Sequence, residues 1–120
     1  MQIQATQNIT FQYKHPLKTM WLEGEFPKVK YGFYGDKLNK KNVSLEHLKP
    51  YSKGGKTQLD NLVLASKENN QKRGNKDIRE FLTVENVTRY LTQFKNIKTM
   101  DFDGNKYIAM ILATIEGLIS

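Results

Sequence analysis

Glu46, His47 and Asn70 are the residues of this 120-residue chain whose types and spacing could do chemistry together. Glu46 and His47 are neighbours in a run, Val43 to Leu48, that can form a strand. Side chains alternate across a strand, so the two point to opposite faces for as long as the strand continues. A strand that breaks just after His47, as Pro50 suggests, lets a hydrogen-bonded loop hold the imidazole toward a pocket. Glu46 and an amide from the following helix then meet a cation, and Asn70 is placed to supply that amide. Taken singly, each residue has a plainer role. A lone histidine is more often a hydrogen-bonded structural residue, Glu46 a strand-end carboxylate, and Asn61 and Asn70 turn and cap residues. His15, beside Pro16 and far from this group, keeps the structural reading.

The elements that must position these side chains follow from the surrounding pattern. After Pro50, the segment Ser52-Lys53-Gly54-Gly55-Lys56 makes a loop whose tight turn only glycine allows. Leu62 to Ala65 reads as a second short strand, and Ser66 as the N-cap of a helix that carries Asn69 and Asn70 in its first turns and stops at Gly74. The middle of the chain is thus strand, Gly-rich loop, strand, helix. Ahead of it, Ile9, Phe11 and Tyr13 alternate with polar residues in a short strand before a turn at His15-Pro16. Met20 and Trp21 are core or interface residues, and Lys28 to Lys41, carrying Tyr31, Phe33 and Tyr34, is a turn-rich approach. Behind it, Lys76 to Leu82, Val84 to Phe94 and Lys106 to Ile119 have helical spacing. Val84, Val87, Leu91 and Phe94 share one face, as do Ile108, Ile111, Leu112 and Ile115. An exposed stripe on the last helix would make a homodimer.

Composition narrows the class. With 38% hydrophobic residues the chain can bury one core, which makes it a single small globular domain. It has no cysteine, which excludes disulfides, thiolate zinc sites, iron-sulfur clusters and a cysteine nucleophile. The longest apolar stretch, Tyr107 to Ile119, is interrupted by Thr114, Glu116 and Gly117 and is shorter than the roughly 20 residues a bilayer span needs. The first residues lack a basic segment followed by an apolar run, so an intracellular, cytoplasmic location without a membrane partner is expected. The formal net charge is +7, and 13 basic against 5 acidic residues fall between Lys28 and Arg79. A concentrated positive segment favours a polyanion through counterion release, although such blocks also serve as solvated surface.

The run from Ser44 to Asn75 resembles the HNH endonuclease motif, whose ββα-metal (His-Me finger) fold hydrolyses phosphodiesters. The resemblance rests on Glu46-His47, on Pro50 three residues after that histidine, and on the Ser-Lys-Gly-Gly turn. Asp60-Asn61-Leu62, and Asn70 ahead of Lys72, Arg73 and Gly74, complete it. It implies that His47 is the general base that deprotonates the attacking water, a role suited to a group titrating near pH 6.5. It implies that Glu46 and Asn70 hold one divalent cation, Mg²⁺ or Mn²⁺ by the hardness of their oxygens. Asn61 would pin the loop and so fix the histidine, a supporting part of the catalytic group. Lys53, Lys56, Lys72 and Arg73 would contact phosphates.

Two departures from the family pattern stand out. Where many members carry paired Cys-x-x-Cys knuckles around a structural zinc, this chain has Tyr31-Gly32-Phe33-Tyr34 and Ser66-Lys67-Glu68-Asn69, so no structural zinc is expected and aromatic packing takes over its stabilising role. Asn70 stands where several relatives place a third histidine, which points to magnesium rather than zinc or nickel. The expectation is an α+β protein, one domain over residues 1–120. Its ββα-metal core covers about 43–75, between an N-terminal extension and a C-terminal helical segment at about 76–120. The resemblance implies a metal-dependent nuclease cutting DNA to 5′-phosphate and 3′-hydroxyl ends, in a phage, mobile-element or restriction setting. The alternatives are a DNA-binding or inhibitory module that keeps the fold without cutting, and an RNA nuclease or binder.

Overall fold

Two short antiparallel strands and the helix that follows them form the centre of the protein. The computed structural model describes residues 16–120, so the expected strand around Ile9, Phe11 and Tyr13, and His15, lie outside the described residues. The elements run α1 (Pro16–Leu22), β1 (Val43–His47), β2 (Leu62–Ser66), α2 (Lys67–Arg73), α3 (Val84–Thr92) and α4 (Gly104–Ile119), an α+β arrangement. Strand β1 pairs with β2 from Val43 opposite Ser66 to His47 opposite Leu62. No helix of the described residues is long and apolar enough to cross a membrane.

All five residues of β2 are buried, which is why that stretch reads as a continuous apolar run rather than an alternating one. Its edge away from β1 would leave main-chain groups unpaired in the interior, at a cost comparable to a lost hydrogen bond for each. Side chains and a turn close that edge. The Leu64 amide donates to the Tyr90 hydroxyl at 2.9 Å, the Phe33 amide donates to the Leu64 carbonyl at 2.8 Å, and the Tyr107 hydroxyl donates to the Leu62 carbonyl at 2.7 Å. Tyr90 on α3 and Tyr107 on α4 are themselves 2.9 Å apart at their hydroxyls. The two C-terminal helices are thereby tied to the strand they cover. Phe26, Phe94, Phe102 and Tyr107 fill the space beneath them with tilted and edge-to-face contacts.

Helix α2 starts where a serine can cap it. Ser66 is extended, and its hydroxyl accepts from the Asn69 amide at 3.2 Å. The helix ends at Gly74, whose φ of 53° lies in the left-handed region. Four sequence expectations differ from what is observed. Residues 16–22 form α1, with Pro16 at its first position, where a missing N–H costs nothing, and Leu17 and Met20 buried. The segment Lys76 to Leu82 makes only a 3₁₀ turn, Ile78–Glu80, because Asp77 caps it through the Arg79 amide and the chain restarts at Thr83, the N-cap of α3. Val84 is 80% exposed; the buried face of α3 is Val87, Tyr90 and Leu91, followed by Phe94, since Tyr90 must reach β2. The hydroxyl of Tyr107 likewise sets the rotation of α4, so Tyr107, Ile111 and Ile115 point inward and Leu112 is half-exposed.

Candidate functional site

Helix α2 runs alongside β1, where Asn70 meets Ser44 and Arg73, one turn further on, meets Glu46 on the same face of the strand. Asn70 Nδ2 donates to Ser44 Oγ at 3.1 Å and to the Leu45 carbonyl at 2.8 Å. Glu46 is 3% exposed, and its Oε2 accepts from the Tyr34 hydroxyl at 2.6 Å and pairs with Arg73 Nη1 at 3.3 Å. Burial pushes the Glu46 carboxyl above the usual carboxylate range, with Tyr34 and Arg73 offsetting part of that cost. The Tyr34 phenol is driven well up by burial and then by the neighbouring carboxylate, so it remains a donor.

Arg73 is interior, 1% exposed, and is not on the surface that a phosphate contact needs. Besides the ion pair, its guanidinium donates to the carbonyls of His47 at 2.7 Å, Leu48 at 2.9 Å and Lys76 at 2.8 Å. It therefore clamps the end of β1 to the end of α2. A planar five-donor fork can serve all four acceptors at once; a lysine ammonium cannot.

His47 closes β1 on the opposite side from Glu46, as strand alternation requires. Its Nε2 lies 2.9 Å from Thr57 Oγ1, and its ring meets Tyr51 at 6.1 Å between centroids, inclined at 64°. Both partners come from the loop between the strands. Partial burial lowers the imidazole's pKa from 6.5 and favours the neutral form. With Thr57 as acceptor, Nε2 carries the proton and Nδ1 keeps the lone pair.

Asn61 holds that loop. It is 7% exposed, its Oδ1 accepts from the Lys49 amide at 2.8 Å, and its Nδ2 donates to the carbonyls of Lys49 at 3.1 Å and Lys56 at 3.0 Å. The Leu48 amide donates to the Asn61 carbonyl at 2.9 Å, which carries the pairing one step past the strand. Inside the loop, Gly55 sits so close to the Lys49 carbonyl that a Cβ would overlap it. The sequence thus places a glycine where the backbone has to pass itself.

Of the expected phosphate contacts, Lys53, Lys56 and Lys72 are exposed. Lys53 lines a hollow of about 190 Å³ with Lys49, Arg73 and Lys76, and Lys56 lines a neighbouring one of about 400 Å³ with Lys49 and Asn61. Lys49 and Lys76 were hidden in the sequence within the general basic run, with nothing to set them apart from solvated lysines. Lys72 lines neither hollow. Tyr51, Thr57 and Tyr34 also touch the site residues without any signal in the sequence, because their roles depend on where the loop and the preceding turn close.

The two places where relatives carry cysteine pairs adjoin here as well. Gly32 lies against the Ala65 backbone, where a Cβ would sit tightly at 3.1 Å from the Ala65 Cα, and Ser66 Oγ donates to Asp36 Oδ2. Phe33 is fully buried against Tyr34 and Tyr90, whereas Tyr31 is 36% exposed and lies beneath the Arg89 guanidinium at 4.5 Å. Backbone hydrogen bonds and rings hold the turn to β2.

A divalent cation of the magnesium type needs hard oxygens. Asn70 can offer Oδ1, which takes no part in its hydrogen bonds, and Glu46 can offer Oε1, since both its side-chain partners fall on Oε2. Both come from the α2 side of the hairpin, and both are hard oxygens. No group of three or more His, Cys, Asp or Glu able to hold a metal occurs among the described residues.

Residues 34–77 match the family model described as HNH endonuclease, a span that contains Tyr34, both strands, the loop and α2. No curated protein and no solved structure matches the chain.

Proposed function

We infer, from the match of residues 34–77 to the family model described as HNH endonuclease, that the protein is a divalent-metal-dependent nuclease that hydrolyses DNA phosphodiester bonds. The match over the strand-loop-strand-helix segment, with His47 held against Thr57 at the end of its first strand, is the observation that carries the reading. His47 takes the proton of the attacking water on Nδ1 while Thr57 holds Nε2 and orients the ring. Asn61 keeps the loop, and with it Thr57, at a fixed distance from β1. Asn70 Oδ1 and Glu46 Oε1 would hold the divalent cation, which would supply positive charge at the scissile phosphate and the departing 3′ oxygen. Lys49, Lys53, Lys56 and Lys76 bind the strand's phosphates without reading bases; Lys72 joins them from the outer face of α2.

One observation favours a second reading. Glu46 is engaged with Arg73, and a carboxylate already neutralised by a buried guanidinium is a weaker ligand for a dication. The alternative is a DNA-binding module on the same fold that does not cut. Incubating supercoiled plasmid with the protein and Mg²⁺, Mn²⁺ or EDTA, beside His47→Ala, separates the two. Metal-dependent nicking or linearisation that the variant loses supports the nuclease; retarded but uncut DNA under every metal supports the module. RNA run in parallel tests the polymer.

A further inference from the structure

Tyr51 is the aromatic side chain that the protein places without using. The other rings near the site are packed: Phe33, Tyr34, Tyr90 and Tyr107 are buried. Tyr51 is 66% exposed, and its hydroxyl has no hydrogen-bond partner among the described residues. Its one ring contact is with His47, 6.1 Å away between centroids. The backbone beneath it is nonetheless fixed. Pro50 presets the entry, the Lys53 and Gly55 amides donate to the Pro50 carbonyl at 2.9 Å, and the Gly54 amide, at φ 91°, donates to the Tyr51 carbonyl at 3.0 Å. A rigid turn thus presents an apolar face to water beside the candidate base, with exposed lysines at 49 and 53 flanking it. A ligand for that surface has to be planar, tolerant of an aromatic face, and anionic. A nucleotide is all three.

Resting on the nuclease reading, we propose that Tyr51 stacks on an unpaired base next to the phosphate attacked by the water that His47 deprotonates, making the protein selective for single-stranded or otherwise unpaired nucleic acid. In a continuous duplex both faces of every base are covered by its neighbours, so the ring finds a free face only where pairing or stacking is interrupted. Stacking on an aromatic side chain contributes about 1–3 kcal/mol per base, which corresponds to about 5- to 150-fold in affinity.

The test is fluorescence anisotropy in EDTA, where no cleavage occurs, with labelled single-stranded and duplex 20-mers and the variants Tyr51→Ala, Tyr51→Phe and Tyr51→Trp. Far-UV dichroism confirms that each variant is folded. The expected result is a single-strand Kd at least 5-fold weaker for Tyr51→Ala, values within about 3-fold of wild type for Phe and Trp, and an unchanged duplex Kd. The proposal is overturned by equal losses on both substrates, by no loss on either, by Tyr51→Phe losing as much as Tyr51→Ala, or by a wild type that binds neither. The plasmid assay keeps the two readings apart. A wild type that never cuts but shows the selective single-strand loss removes the nuclease and leaves the stacking residue; one that cuts while Tyr51→Ala binds normally does the reverse.

Discussion

Replacing Arg73 by alanine removes the one cation opposite Glu46 and the donors to three main-chain carbonyls, in a place that water does not reach. Both members of the pair are nearly inaccessible, with side chains 2% and 4% exposed. Breaking such a pair from one side strands the other charge, and the usual cost is about 3–5 kcal/mol. Small domains have about 5–15 kcal/mol in total, so the variant should lose a large share of its stability. With about 2.1 cal/mol/K of unfolding entropy per residue, a 120-residue chain shifts by about 4 °C per kcal/mol, so a fall in Tm of about 12–20 °C is expected. Glu46→Gln should cost less, because the amide oxygen can still accept from Tyr34 and Arg73 keeps its three carbonyl acceptors. The pair should therefore be strongly coupled, and Glu46→Gln combined with Arg73→Ala should be more stable than the two single losses added together. Urea unfolding of the four proteins at one pH measures the cycle. An Arg73→Ala variant within 1 kcal/mol of wild type, or single losses that add to within 0.5 kcal/mol, would refute the clamp.

Three further outcomes follow from the site. Burial lowers the folded pKa of His47 below its unfolded value of 6.5, so the unfolded chain binds the extra proton first; this group's contribution to stability is present above pH 6.5 and is lost as pH falls through the folded value. Cleavage should show an acid limb below pH 6.5 for the same reason, and an acid limb centred above 6.5 in a kcat/KM profile would contradict it. Asn61→Ala removes three bonds that hold the loop and should cost about 1–3 kcal/mol in urea unfolding while raising hydrogen exchange at the Lys49 amide; unchanged exchange there would count against the pin. Gly55→Ala forces the loop backbone away from Lys49 and should cost about 1–3 kcal/mol, whereas the same change at Gly117, whose Cβ would meet open space, should be neutral or slightly stabilising in the same assay.

What the sequence disclosed and what it concealed divide along the range of the interactions. Both strands, the capping serine and the glycine stop of α2 were readable because each depends on a few adjacent residues: an apolar run, a hydroxyl, a left-handed φ. The buried faces of α3 and α4 are rotated by a fraction of a turn from the stripes that periodicity predicts. Hydrophobic periodicity treats Val84 and Tyr90 alike as apolar, but only Tyr90 and Tyr107 can close the open edge of β2, and that requirement rotates both helices away from the stripe with the simplest spacing. Helix α1 was missed because Pro16 signals a turn as readily as a first helical turn, and only the burial of Leu17 and Met20 decides between them.

At the site, the hardest residue to place was Arg73. A basic residue beside Lys72 in a positive segment resembles its neighbour in sequence, yet Lys72 is exposed and Arg73 buried. The difference arises from the helix period and the strand alternation acting together. Three residues past Asn70 lies the position over Glu46, and a side chain there must neutralise a buried carboxylate and satisfy the carbonyls at a strand end that no third strand covers. The same two periodicities put His47 on the far side of β1 with Thr57 and Tyr51. Arg73 grips the carbonyls of His47 and Leu48 while its Nη1 pairs with Glu46, so the residue that neutralises the carboxylate on one face of β1 also fixes the strand end from which the imidazole projects on the other.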